Sequence, residues 1–172
     1  MPIRRTFIAR SLAAVLAIGL SHAAFAVDAM PDARFVGFVQ ESNDFIIGSS
    51  RMAIQKSGNE AIRGYANRML IEREETASVL SRVRAEAGVM HAPTPGGARP
   101  HHTDVFDRLV LLFGAEFDNA YASAQLSAQI EAVDQVGAYS QNGGDANLRR
   151  FAQEALPKLR SQVEHAKRIA GQ

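Results

Sequence analysis

Small and apolar side chains return along this chain every third or fourth residue, the period of a helix rather than a strand. From Phe35 they recur at Phe38, Ser42, Phe45, Ser49 and Met52, and the run is bounded by Pro31-Asp32 and by Ser57-Gly58-Asn59, a stop followed by a restart. A second stripe, Ile62, Tyr65, Ala66, Met69, Thr76, Leu80 and Val83, predicts a helix from about Glu60 to Ala87, ended by Gly88. "HAPTPGGARPHH" then puts three prolines and two glycines into twelve residues, which forbids regular structure. A third element starts near Thr103 with "DVFDRLVLLF", is expected to bend at Gly114, and runs on through Phe117, Tyr121, Gln125, Ala128, Ala132 and Tyr139 to "NGGD". The fourth helix carries Leu148, Ala152, Leu156, Leu159, Val163 and Ala166, with a kink expected at Pro157.

The second and fourth helices open alike, "GNEAIRGYANRML" against "GDANLRRFAQEAL". Ile62-Arg63 matches Leu148-Arg149 and Tyr65-Ala66 matches Phe151-Ala152, at a constant offset of 86 residues. The fold class expected is all-α: a ferritin-like four-helix bundle of two antiparallel helical hairpins, joined by the Pro/Gly-rich linker and a short extra helix.

One residue disturbs the stripe of the second helix. At 100° per residue Arg73 falls about 40° from Met69, inside the apolar sector, with Glu72 on the flank and Glu74 and Glu75 outside. A guanidinium has no lone pair and keeps its charge, so it is no metal ligand, and burying it alone costs several kcal/mol. It therefore either reaches a carboxylate across the bundle, Glu41 or Glu131, or extends its head to water along its stem.

The first residues change the charge balance. "MPIRR", "SLAAVLAIGL" and "AFA" read as the basic start, short apolar core and cleavage site of a secretory signal, so residues 1–26 are expected to be removed. The apolar stretch is shorter than the roughly 20 residues a membrane span needs. The remaining 146 of the 172 residues suit one domain, 27–172, in the periplasm, with association to the outer membrane left open. Removing Arg4, Arg5 and Arg10 from the 19 basic residues leaves 16 against 18 acids, a charge of −2 in place of +1. No basic excess is then left to favour nucleic acid, and no transmembrane segment follows. The chain has no cysteine, which excludes disulfides, thiolate metal sites and cysteine catalysis.

The order of "FVGFVQESNDF", "RMAIQKSGNEAIRGYANRML", "GAEFDNAYASAQL" and "FAQEALPKLRSQVEHAKRIA" resembles the DUF4142 family, over about residues 33–170. Its members are exported bacterial proteins of ferritin-like architecture, often labelled outer-membrane proteins. The resemblance implies that fold and export; the family's biochemical role is poorly defined. Members commonly carry Asp-His pairs on the second and third helices, and these positions hold Glu72-Arg73 and Ala128-Gln129 here. An acid on the first helix corresponds to Gly48, and a histidine after "L-P-x-L-R" to Gln162. If those positions hold a metal in relatives, this chain has lost nearly all of the site, and Arg73 supplies by its own charge what an ion supplies there.

Other polar groups are weaker candidates. His91, His101-His102 and Asp104 lie in or beside the linker, where a mobile segment does not preorganise zinc or copper. His165 falls about 140° from the stripe of the fourth helix, on the surface. Glu72-x-x-Glu75 and Glu131-x-x-Asp134 have carboxylate spacing without the Glu-x-x-His of a di-iron bundle. Tyr121 and Tyr139 read as core aromatics. No glycine-rich phosphate loop or serine triad can be argued. No catalytic, cofactor-binding or metal residue is therefore assigned, and no cofactor is expected. The expected function is that of a non-enzymatic envelope protein acting by binding or assembly, with a stress role and homo-oligomer formation left open. Its contact face would be Val105, Leu109, Leu112 and Phe113, unless the bundle core takes them. The alternative is a ferritin-like metal-binding or redox protein with a degenerate site.

Overall fold

The computed structural model describes residues 30–90 and 102–171. The leader expected over residues 1–26 and most of the linker, including His91 and His101, lie outside them. Five helices appear in order: α1 (Asp32–Lys56), α2 (Glu60–Glu86), α3 (Thr103–Leu111), α4 (Gly114–Asn142) and α5 (Ala146–Ile169).

Local chemistry sets the boundaries. Asn59 caps α2, its Oδ1 accepting from the amides of Ala61 and Ile62 at 2.9 and 3.4 Å. Asp145 caps α5 the same way, accepting from Asn147 and Leu148 at 2.8 and 2.9 Å. Arg63 then reaches back to the Ser57 carbonyl at 3.2 Å, and Arg149 to the Gly143 and Gly144 carbonyls at 2.5 and 2.6 Å. The sequence echo is thus a shared set of jobs: cap, clasp across the turn, and a buried aromatic, Tyr65 or Phe151. Gly88 closes α2 at φ +70°. Helix α5 runs unbroken through Pro157, which is exposed and, having no N–H, leaves the Gln153 carbonyl without its usual helical donor.

The bend expected at Gly114 is a full break. Leu112 and Phe113 are extended, and Gly114 starts α4 at φ +54°. Lys56, at the end of α1, holds the break in place. Its Nζ donates to the Leu109 and Val110 carbonyls at 3.0 and 2.7 Å and lies 4.3 Å from the Phe113 ring centroid. The Leu109 carbonyl also accepts a long bond from the Leu112 amide at 3.4 Å, and a cation is favourable at the C-terminus of a helix.

The four long helices form a bundle. Helices α1 and α2 pair, α4 and α5 pair, and the pairs meet through α1 against α4 and α2 against α5. Asp32, at the start of α1, accepts the Tyr139 hydroxyl at 2.5 Å near the end of α4, and the backbone amides of Gly144 and Asp145 at 3.2 Å. Helices α1 and α4 therefore run antiparallel, and the connection from α2 to α4 traverses the length of the bundle. Helix α3 lies on that route, against α1 and α4. Among the described residues no helix is long and apolar enough to cross a membrane.

The core is divided. One apolar cluster includes Phe45, Ile46, Ile62, Met69, Phe117, Tyr121 and Ala166. The other includes Phe35, Val36, Val39, Leu80, Val136, Tyr139, Leu148 and Leu159, with Phe35 stacked on Tyr139 at 3.7 Å. Each long helix passes from one cluster to the other, and at the crossing lie the buried polar residues Asn43, Arg73, Gln129 and Gln162, one from each helix, with Ser42 next to Asn43 on α1.

Candidate functional site: a guanidinium at the centre of the bundle

Arg73 is 3% exposed, so it does not reach water along its stem. Its partners are amide oxygens. Nη2 donates to Gln129 Oε1 and, at 2.8 Å, to Gln162 Oε1, while Nη1 donates to Asn43 Oδ1 at 3.4 Å. Neither Glu41 nor Glu131 is among them, which corrects the expected carboxylate pair. Glu131 instead stands 3.8 Å from His102, on the side of the bundle that α3 covers. The physical reason is phase: both glutamates are only partly buried, and the inward positions beside them are Asn43 and Gln129.

A guanidinium only donates, so it dictates how all three amides stand. Each must turn its oxygen inward and its NH2 elsewhere. Gln162 Nε2 donates at 2.5 Å to Glu72 Oε2, so the nearest carboxylate is linked to Arg73 through one amide. Gln129 Nε2 points to Tyr65 Oη at 3.4 Å and to Met69 Sδ at 3.3 Å. Tyr65 donates to Gln125 Oε1 at 3.4 Å, Gln125 donates to Ser49 Oγ at 2.8 Å, and Ser49 donates to the Phe45 carbonyl at 2.7 Å. The chain keeps one direction from the guanidinium to a backbone carbonyl. Beside it, Ser50 Oγ and Tyr121 Oη share a bond at 3.1 Å.

Burial pushes Arg73 down to about 10, against the favourable fields of Tyr65 and Glu72, which leaves it charged at neutral pH. Burial also pushes Tyr65 up to about 12, opposed by the bond from Gln129 and the charge of Arg73. The centre is therefore a fixed positive charge held by neutral dipoles. Amide oxygens, hydroxyls and a guanidinium are poor partners for iron or copper, which take imidazole and carboxylate. Among the described residues no group of three or more His, Asp or Glu is placed to hold a metal ion.

The positions singled out by the family resemblance converge in part. Arg73, Gln129 and Gln162 meet at one interior point. Gly48 does not join them: a Cβ there would stand 3.0 Å from the Phe106 ring of α3. Asn43 completes the layer, and sequence reasoning missed it. Its signal was the second row of α1, Val36, Val39, Asn43, Ile46, Ser50 and Ala53, at alternating spacings of three and four.

The remaining candidates are dispersed. His102 is partly buried, stacks on Phe45 at 4.4 Å, and with Asp104 lines a half-open groove of about 990 Å³ between α3 and α4. His165 is half-buried rather than fully exposed, 3.2 Å from Arg68; burial and the charges of Arg168 and Arg68 lower its pKa. Glu75 turns outward to Lys158 at 2.8 Å, and Asp134 is exposed, so neither carboxylate pair closes on one point. Of the expected contact face, Leu109 is core and Leu112 is half-buried. The exposed apolar side chains there are Phe113, Leu111, Val110 and Val105, at 72, 76, 48 and 39%.

Fold and site together define a four-helix bundle with one long crossover and a cationic polar layer. The sequence model of the family described as Domain of unknown function (DUF4142) matches residues 20–169. The chain belongs to that family. No curated protein matches it. Among solved structures, one described as "CopM in the Cu(II)-bound form" matches at a TM-score of 0.69 and 14% identity, over 83% of this chain and 97% of that one. That likeness is one of fold.

Proposed function

We propose that this protein is a non-enzymatic helical bundle of the bacterial envelope, exported by a leader over residues 1–26, that acts by binding or assembly. The observation that carries the reading is the buried guanidinium of Arg73, which occupies the point where polar side chains of all four long helices converge. A site for redox or hydrolytic chemistry needs lone pairs or a titratable group at such a point. Here the amide oxygens are spent on Arg73, and the hydroxyl of Tyr65 is held protonated by burial. Contact then falls to the surface, where Val110, Leu111 and Phe113 form the apolar end of α3.

A second reading, a metal-binding bundle with a degenerate ferritin-like site, is favoured by the likeness in fold to a protein solved with Cu(II) bound. Elemental analysis of protein purified without a histidine tag, followed by equilibrium dialysis against Cu(II), separates the two. The first reading expects no stoichiometric metal that depends on the core. Stoichiometric copper, iron, manganese or zinc lost in Gln129→Leu or Gln162→Leu would establish the second.

A further inference from the structure

The orientation forced on Asn43 has a consequence on the outer side of the polar layer. Its Oδ1 is committed to Arg73, so its Nδ2 faces away from the guanidinium. Asn43 is 1% exposed, and Nδ2 finds no hydrogen-bond partner among the described residues. A buried amide donor left so costs about 1–3 kcal/mol. Asn43 also lines a cleft of about 130 Å³ between α1 and α2, whose other polar walls are Gln40, Asp44, Ser81 and Arg84. That volume equals about four water molecules in the liquid.

We infer that this cleft is a binding site for a small oxyanion of the carboxylate or phosphate class. Asn43 is part of its lining with its unpartnered Nδ2 covered from solvent, so a ligand reaches that donor only after a side-chain shift; Ser81 and Gln40 offer further donors, and the half-buried Arg84 brings a guanidinium to the lining. The buried charge of Arg73 lies one amide behind the lining and polarises Asn43 toward donation. Asp44 opposes an anion, but it is exposed and its charge is screened by water. The walls Ala77 and Leu80 and the small volume exclude larger ligands. The inference stands apart from the question of metal binding, because none of these groups belongs to the interior point around Arg73 except Asn43, whose oxygen alone is used there.

The test uses the full chain labelled with ¹⁵N, titrated with sodium acetate and separately with sodium phosphate, against sodium chloride of equal ionic strength. The Asn43 side-chain amide is expected to shift saturably with one or both oxyanions and not with chloride. Arg84→Ala is expected to weaken that binding about tenfold. Asn43→Asp is expected to abolish it, since it replaces the donor by a negative charge, while its carboxylate still accepts from Arg73 and the melting temperature holds or rises. No saturable shift with either oxyanion would overturn the inference and leave a cleft filled by water. So would undiminished binding in both variants, which would put the anion elsewhere. If Asn43→Asp fails to fold, Arg84→Ala decides.

Discussion

Arg73 is stable in the core because three neutral oxygens share it. Hydrogen bonds to a charged donor contribute about 1.5–3 kcal/mol each, which offsets the several kcal/mol of desolvation. The layer is therefore coupled, and removing one member strands the rest. Arg73→Leu should fold, but it leaves Asn43 Oδ1, Gln129 Oε1 and Gln162 Oε1 buried without a donor. We expect it to lose about 3 kcal/mol in urea unfolding. Adding Gln129→Leu and Gln162→Leu should restore part of that loss, because of the three amides only Asn43 then remains buried without a donor. Unchanged stability in the single variant would mean that the amides find other donors. The sequence placed Arg73 inside the stripe, since helical phase is a local property. It could not name the partners, which lie 30, 56 and 89 residues away. Glu41 and Glu131 looked suitable by charge alone, but a rotation of about 100° per residue separates them from the inward positions of Asn43 and Gln129.

Among the elements, the matched starts of α2 and α5 allow a paired experiment. Asn59 and Asp145 each accept from two orphan amides, so Asn59→Ala and Asp145→Ala should each cost about 1 kcal/mol. Asp145 also carries charge at a helix N-terminus, so its loss should shrink as salt rises, while that of Asn59 should not. A shift in denaturation midpoint for only one of the pair would show that the echo is a likeness of sequence without a likeness of role. These starts were readable because caps are written within three residues. The break between α3 and α4 was only half readable. Gly114 signalled a departure from the helix, but the extended Leu112 and Phe113 depend on Lys56, more than fifty residues earlier, bonding the last carbonyls of α3. For the same reason the apolar face of "DVFDRLVLLF" divided otherwise than its spacing implied, with Leu109 turned to the core and Leu111 to water.

For the whole molecule, all three tyrosines are buried, and burial raises each above the ordinary value of 10.0. Tyr65 is pushed up to about 12, and Tyr121 and Tyr139 are raised further. The unfolded chain loses these protons near pH 10 while the folded chain keeps them, so the stability they confer is complete below pH 10 and falls as pH climbs above it. Arg73 acts in the opposite sense above about pH 10, where the unfolded guanidinium keeps a proton that the folded one gives up, but it is one group against three. Ultraviolet titration should therefore show no tyrosinate forming near pH 10 in the native protein. It should show one cooperative rise at higher pH, coincident with loss of the helical circular dichroism. A separate phase near pH 10 with helix intact would show that a tyrosine reaches solvent.

The chain by itself determined that there are four long helices and one short one, where most of them begin and end, and that a charge stands on an inner face. Each of these follows from hydrogen bonds and periodicity within a few residues. Only the tertiary structure decided that the apolar core is split by a polar layer, that its amides turn their oxygens to Arg73, and that one of them is left with a free donor beside a cleft. Those facts depend on how four helices are rotated against one another, and a donor such as Arg73 can orient a partner only once packing has brought it within about 3 Å.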